Sequence, residues 1–382
     1  LPGNLPAIEP PLWAGLIASY HHAVLLDAEG LNLDMRYTLE AIRKSEQETI
    51  VIVVMGNNPS VSSTPKMSAA EDLANRLKGF NVLLTGLHPE SIGSEYMVAK
   101  SLFGGFPMQP WDKLPMHLYR AHNWHCLDGS PRSPYASIYT SLGCPFNCYY
   151  CNIHALYPDR QVKFRPVEDV VKEVDILTTK YNVRNIKIWD ELFALKEDRV
   201  WEICQGIRPY NEKYRLNIWA YARLDTITES MLDAMRLAGI RWLAYGFESV
   251  KDPKFTDKTE DVIRMTREYG ISIMANFMFG LPGTIREDDM ASVEFAKKHL
   301  FEFINFYDAK PYPGSQWYED IKASPNWEEY SQYDSMSDFR KASFIEYFSN
   351  PSYLMKIQDK WGNQAVKQIQ EMVHGGLHRT AK

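Results

Sequence analysis

Gly143-Cys144-Pro145-Phe146-Asn147-Cys148-Tyr149-Tyr150-Cys151 places three of the chain's five cysteines within eight residues. The remaining two, Cys126 and Cys204, stand apart from this run, and three clustered thiols cannot pair among themselves without leaving one over, so a disulfide framework is not the reading. Sulfurs this close ask for a metal. Thiolates bind zinc or an iron–sulfur cluster, and both usually want four ligands. C-x3-C-x2-C supplies three. Zinc would need His154 as the fourth, a short step beyond Cys151; a four-iron cluster would leave one iron open to another ligand.

Composition narrows the setting. A chain of 382 residues has room for two domains, and 45% hydrophobic with 24% charged residues describes a globular protein. No run of 18 apolar residues suggests a membrane span, and the opening LPGNLPAIEPPLW has no basic region followed by an apolar core. Cysteines clustered in this way fit a reducing compartment, so a cytoplasmic location is expected. With 42 basic against 48 acidic residues and no Lys/Arg run, nucleic acid is not the expected partner. The 13% aromatic content is mostly core, with a minority available to line a pocket for a flat ligand.

Residues 1–103 read as a Rossmann-like, doubly wound α/β domain. A short apolar helix leads to His21–Asp27 (HHAVLLD), a run of strand length; Asp34 can cap a helix over 35–44; Thr49–Met55 (TIVIVVM) is apolar on both faces; a helix over 68–78 precedes the strand Asn81–Thr85. In such sheets ligands sit beyond the carboxyl ends of the strands. That picks out the loop from Gly56 to Thr64, with Asn58, Ser62 and Ser63, and the loop Gly86-Leu87-His88-Pro89-Glu90. No G-x-G-x-x-G follows a strand, so the nicotinamide or flavin fingerprint is absent.

Residues 104–134, rich in Pro and Gly at the start, read as a linker. Tyr119–His125 within it sets two histidines beside two aromatics; such histidines are usually structural, the alternative being that they line an interdomain cleft. Over 135–320, six strands alternate with helices, and the strands end in polar or Gly-rich residues: Asp190-Glu191, Arg223, Glu248-Ser249, Gly280-Leu281-Pro282-Gly283. This describes a partial (β/α)6 barrel of TIM type, with its chemistry at the strand carboxyl ends. Residues 321–382 read as a helical C-terminal region over the barrel mouth.

The cysteine spacing together with these strand ends resembles the radical S-adenosylmethionine superfamily. The resemblance implies a [4Fe-4S] cluster on Cys144, Cys148 and Cys151 whose open iron is chelated by S-adenosylmethionine. It further implies that Tyr150 lies against the adenine and that Asp190 and Glu191 stand where relatives hold the methionyl amino group. Trp-Asp-Glu replaces the commoner Gly-Gly-Glu there. By the same resemblance Arg223 pairs with the methionyl carboxylate, Glu248 and Ser249 reach the ribose and methionyl groups, and Gly280 and Pro282 belong to a loop passing the adenine.

The order of motifs over roughly residues 8–100, and Pro311-Tyr312-Pro313-Gly314-Ser315, resemble the cobalamin-binding subgroup of that superfamily, the class B methylases. The resemblance implies cobalamin at Asn58, Ser62, Ser63, Gly86 and His88. The Asp-x-His-x-x-Gly loop of other cobalamin proteins is absent, since Asp27 is followed by Ala28, Glu29 and Gly30, and the family's first strand is not represented before Pro10. The activity so implied is C-methylation of an unactivated carbon through a 5′-deoxyadenosyl radical and methylcobalamin, on a small molecule or biosynthetic intermediate, with flavodoxin or ferredoxin as electron donor. Rearrangement, ring contraction or cyclisation without methyl transfer is the alternative with the same cofactors, and a zinc-binding non-catalytic scaffold the alternative of another class.

Overall fold

The computed structural model describes residues 6–55, 66–100, 104–332 and 336–375. The first unit comprises α1 (Leu12–Tyr20), α2 (Met35–Lys44), β1 (Thr49–Val53), α3 (Met67–Arg76), β2 (Asn81–Thr85), α4 (Leu87–Ile92) and β3 (Met97–Val98). Its strands form a parallel sheet in the order β1-β2-β3, with Thr49 opposite Asn81 and Val53 opposite Thr85. Ile50 and Val82 pack with Leu39 and Ile42 of α2, while Val54 and Leu84 pack with Met67 and Ala70 of α3, so both faces are covered. The α2 start is capped as expected, Asp34 accepting from the Tyr37 N–H at 2.8 Å.

Two expectations fail in this unit. His21–Asp27 is not a strand: Val24 and Leu26 face solvent, and Asp27 instead closes a turn, accepting from the Gly30 N–H at 2.9 Å and the Tyr119 hydroxyl at 2.7 Å. An apolar run of strand length cannot make a strand without a neighbour for its amides. The run from Gly86 is not an open loop either. The Glu90 carboxylate accepts from the Thr85 hydroxyl and the Gly86 N–H, both at 3.0 Å, and this winds Leu87–Ile92 into α4.

The 104–134 stretch lends Trp111, Tyr119, Trp124 and Leu127 to the same continuous core as the large sheet. Its Trp111 indole donates to the buried Glu173 at 2.7 Å. Beyond it come β4 (Tyr135–Ile138), β5 (Ser141–Leu142), β6 (Lys163–Phe164), α5 (Val167–Thr179), β7 (Asn185–Ile188), α6 (Glu197–Tyr214), β8 (Asn217–Ala222), α7 (Glu229–Ala238), β9 (Ile240–Glu248), α8 (Thr259–Glu268), β10 (Ser272–Phe279), α9 (Arg286–His299) and β11 (Phe303–Asp308). Six of these strands form one all-parallel sheet in the order β11-β10-β9-β8-β7-β4, and β5 pairs antiparallel with β6. The single ring of Trp124 touches Trp219 of β8, Trp242 of β9 (both 5.2 Å) and Phe303 of β11 (5.8 Å). In a flat sheet β8 and β11 would stand about 14 Å apart, so the sheet curls around this ring.

The C-terminal helices are α10 (Gln316–Ile321), α11 (Asp338–Phe348), α12 (Pro351–Trp361) and α13 (Asn363–Gly375). Only the first two reach the carboxyl end of the large sheet: the Trp317 N–H of α10 donates to the Tyr149 carbonyl at 3.0 Å, and Phe339 of α11 packs on Phe279 at the end of β10 at 4.7 Å, whereas α12 does not cover that end as expected. Trp361 of α12 stacks on Trp242 at 5.4 Å, and Lys360 donates to the Ser272 hydroxyl at 3.0 Å, so α12 lies at the amino ends of β9 and β10. Tyr353, Ile357, Ala365 and Ile369 extend the main core there. Amphipathic helices settle on whichever apolar surface is still uncovered, and after α11 that surface is the amino-terminal one.

Candidate active site

The cysteine loop is anchored before its first thiol. Asp190, buried just after β7, accepts from the Thr140 N–H at 2.6 Å, the Thr140 hydroxyl, and the Ser141 hydroxyl at 2.7 Å. Burial pushes its carboxyl up, and these donors pull against it. Both oxygens are therefore committed to the chain leaving β4, and Asp190 is a positioning residue rather than a holder of an amino group. Gly143 then takes φ +95°, and a Cβ there would stand 2.4 Å from the Gln161 carbonyl, a fit open to glycine alone. The His154 ring is turned to the loop's own backbone, with Nε2 2.8 Å from the Phe146 carbonyl and Nδ1 3.1 Å from that of Tyr157. That removes it from the role of fourth zinc ligand.

Cys144, Cys148 and Cys151 are half-buried and in no disulfide. Burial pushes Cys144 up to about 11, against the Phe146 N–H, and likewise raises Cys151 well above its ordinary value. Among the described residues no three His, Cys, Asp or Glu side chains converge on a point as a single ion requires. A four-iron cluster makes a different demand, one thiolate to each of three irons, and the donor set is of that chemistry. Such thiols ionise when a metal takes up their charge. Glu191 is half-buried, and its charge faces the cysteine loop closely enough to raise both the Cys144 and Cys151 thiols. Of the two acids, Glu191 is the one aimed at the loop.

Arg223, one residue beyond β8, lies 3.8 Å over the Phe146 ring, with Nη1 3.6 Å from the Cys148 sulfur. Its Nε and Nη2 grip Asp225 at 2.9 and 2.7 Å. Glu248 ends β9 in the left-handed region, at φ +59°, which a side-chain-bearing residue adopts only under constraint. The constraint is visible: Lys254, almost fully buried, lies 3.6 Å from Glu248, 3.2 Å from Asp252 and 3.3 Å from the Tyr150 hydroxyl. A cation between two carboxylates and a phenol offsets the burial that pushes Glu248 up.

Cys148, Tyr150, Arg223, Ser249, Lys254 and Pro282 meet on the wall of one cavity of about 500 Å³, whereas Cys144, Cys151, Glu191 and Glu248 stand off that wall. Gly280 makes the turn before it, at φ +74°, its N–H pointing to Asp289. The sequence reading missed Lys254, Asp252 and Asp225. The signal was there as a charge-rich turn, Lys251-Asp252-Pro253-Lys254, directly after Glu248-Ser249.

The expected corrinoid contacts fare differently. Asn58, Ser62 and Ser63 lie outside the described residues. At Gly86 the φ is +105° and a Cβ would stand 2.7 Å from the Val54 carbonyl, so the space that glycine leaves is filled by the backbone just after β1 rather than kept for a ligand. His88 is fully buried against Trp327 at 4.2 Å and is held neutral, down to about 3, by burial. Tyr119–His125 does not line a cleft between the first unit and the cysteine end: Trp124 sits at the amino end of the large sheet and His125 is buried beside it. The first unit nevertheless faces the cysteine end, because Ser91 of α4 and Ala155 close on Gly314 from two sides.

Comparison with known proteins coincides with this geometry. Residues 138–296 match the Radical SAM superfamily family model. The chain is 26% identical over 374 residues to an uncharacterized methyltransferase of Pyrococcus horikoshii, covering 84% of this chain and 77% of that one. It is 26% identical to the bacteriochlorophyllide d C-8(2)-methyltransferase of Chlorobaculum tepidum over 54% of this chain and 49% of the relative, so it spans about half of that protein. In fold it is similar to the radical S-adenosylmethionine methyltransferase TsrM of Kitasatospora setae, with a TM-score of 0.62, 17% identity, and coverage of 83% of this chain and 74% of that. No helix among the described residues is long and apolar enough to cross a membrane. The cysteine loop and the cavity walls at Tyr150, Arg223, Ser249 and Pro282 all fall inside residues 138–296, so the stretch that matches the Radical SAM superfamily model is the stretch that builds the site.

Proposed function

We propose that the chain is a cobalamin-dependent radical SAM methyltransferase that places a methyl group on an unactivated carbon of a small molecule. The observation that carries this is the shared cavity: Cys148, Tyr150, Arg223, Ser249 and Pro282, far apart in sequence, wall one space of about 500 Å³ at the carboxyl ends of β8 to β10. The curled sheet supports a partial (β/α)6 barrel, and the covered three-stranded sheet supports a Rossmann-like first domain over 1–103, followed by 104–134, 135–320 and 321–382. Cys144, Cys148 and Cys151 would hold a [4Fe-4S] cluster, which supplies the electron that cleaves S-adenosylmethionine.

This chain's residues bind and orient. The Arg223 fork suits a carboxylate, Glu191 and Glu248 suit an ammonium or hydroxyl groups, and the apolar faces of Tyr150 and Pro282 suit a flat ring. Lys254 keeps Glu248 and Asp252 paired inside the protein so that the site stays ordered without its ligand. Support for cobalamin comes from the relatives: TsrM has been solved with cobalamin and a [4Fe-4S] cluster bound, and its structure with tryptophan shows a small-molecule substrate. Gly86 and His88 do not fit as corrinoid contacts here, and no step is assigned through that group. A reduced flavodoxin or ferredoxin is the proposed electron source.

The test is transfer of label from S-adenosylmethionine carrying a trideuterated methyl group, against a panel of small-molecule acceptors. A product heavier by the labelled methyl supports methylation. Consumption of S-adenosylmethionine with an altered but unlabelled product would replace methylation with rearrangement, ring contraction or cyclisation.

A further inference from the structure

A second cavity, of about 530 Å³, opens at the other end of the large sheet. Its wall carries Arg184, Arg215, Arg241 and Lys360 against one carboxylate, Asp128. The three arginines come from the starts of β7, β8 and β9, neighbours in the sheet, so their stems are spaced by the strand separation of about 4.8 Å. Cations at this end often serve the carbonyls of helix termini, since helices between parallel strands finish here. Arg184 does so, donating to the Thr178 and Val183 carbonyls at 3.0 and 2.9 Å. Lys360 is held between Ser272 at 3.0 Å and Glu302 at 3.4 Å. Arg215 and Arg241 have neither a carbonyl nor a carboxylate within bonding distance among the described residues; Arg241 is lowered by burial first and then by the charges of Arg236 and Arg215, with Asp128 acting the other way.

A second feature points the same way. His125 lines this cavity with 1% of its surface exposed, and neither ring nitrogen completes a hydrogen bond, although one edge approaches Asn217. A buried polar group without a partner costs stability unless something supplies one. We propose that this cavity binds a small phosphate-bearing anion, taken by the Arg215 and Arg241 forks with His125 as the inner donor. Guanidinium forks match phosphate oxygens in pairs, which a chloride ion cannot exploit. Because the cavity is at the amino ends of the strands, its ligand is an effector and not the molecule turned over at the cysteine end. Lys360 and Trp361 belong to α12, so an anion reaching from Arg241 to Lys360 would tie the C-terminal helices to the sheet.

The probe is inorganic pyrophosphate, titrated calorimetrically into the full chain at constant ionic strength set with chloride. Saturable binding at one site per chain is expected, with a melting temperature that rises with pyrophosphate concentration. Affinity should fall about tenfold or more in Arg215→Gln plus Arg241→Gln, two exposed positions where the fold tolerates the change, with iron content and S-adenosylmethionine cleavage unaltered. His125→Gln should weaken binding without abolishing it. No saturable heat at millimolar pyrophosphate, equal affinity in the double arginine variant, or equal displacement by chloride would each overturn the site.

Discussion

At the scale of single residues, the account separates groups that touch ligand from groups that hold those groups. Replacing Cys144, Cys148 or Cys151 by Ala should remove the cluster and all cleavage of S-adenosylmethionine, while Cys126→Ala and Cys204→Ala, buried and remote, should keep both; iron and sulfide analysis decides. Arg223→Ala removes a charged group from the cavity wall, and Glu248→Ala removes the carboxylate paired with the wall residue Lys254; each should raise the S-adenosylmethionine concentration needed for cleavage, an effect of about 1.5–3 kcal/mol. Asp190→Asn should act otherwise, loosening the cysteine loop and lowering iron retention, because its oxygens serve Thr140 and Ser141. Ligand-type residues were legible in the sequence because each sat at a strand end in a recognisable order. Asp190 could not be told apart from Glu191, because sequence shows two acids at the right place but not which donors have already taken one of them. Lys254 escaped because a lone lysine in a loop is normally solvated.

At the scale of elements, glycine and tryptophan carry the weight. Gly86→Val should cost about 3 kcal/mol by combining a left-handed φ with a clash on the Val54 carbonyl, and should lower the melting temperature of the apo protein. A variant that melts like the parent would return Gly86 to the role of making room for a ligand. Trp124→Ala should cost about 3–5 kcal/mol, since its ring is what β8, β9 and β11 curl around. The strands of the large sheet were legible because they are buried on both faces and end in Gly or acid. His21–Asp27 was not, because its apolar run has the length of a strand while the pairing partner that makes one is a long-range fact. The two-residue β3 gives too short a pattern to read.

At the scale of the molecule, buried carboxylates tie the peripheral segments to the sheet and set the response to acid. Burial would raise both Glu9 and Glu302; Lys187 and His122 around the first, and Lys356, Arg267 and Lys360 around the second, overcome it and hold each at about 2. Both lie below the ordinary value of 4.5, so this stability is complete above about pH 4.5 and is lost as pH falls from there through about 2. His88 and His125, held neutral down to about 3, add a loss of the same sign from their ordinary 6.5 downward, because unfolding frees them to bind protons. Urea unfolding between pH 7 and 3 should show stability falling throughout, and Glu302→Gln should flatten the slope below pH 4.5 while lowering stability at pH 7. The placement of α12 and α13 at the amino end was illegible because an amphipathic helix declares that it needs an apolar surface but not which one. The central claim is that the cavity beside Cys148 holds S-adenosylmethionine against a cluster. Its most direct test is to reduce the anaerobically reconstituted protein with S-adenosylmethionine present and measure 5′-deoxyadenosine: the account predicts its formation in the parent and its loss in Cys148→Ala, whereas a parent protein that carries a full cluster and forms none, with S-adenosylmethionine left intact, would contradict it.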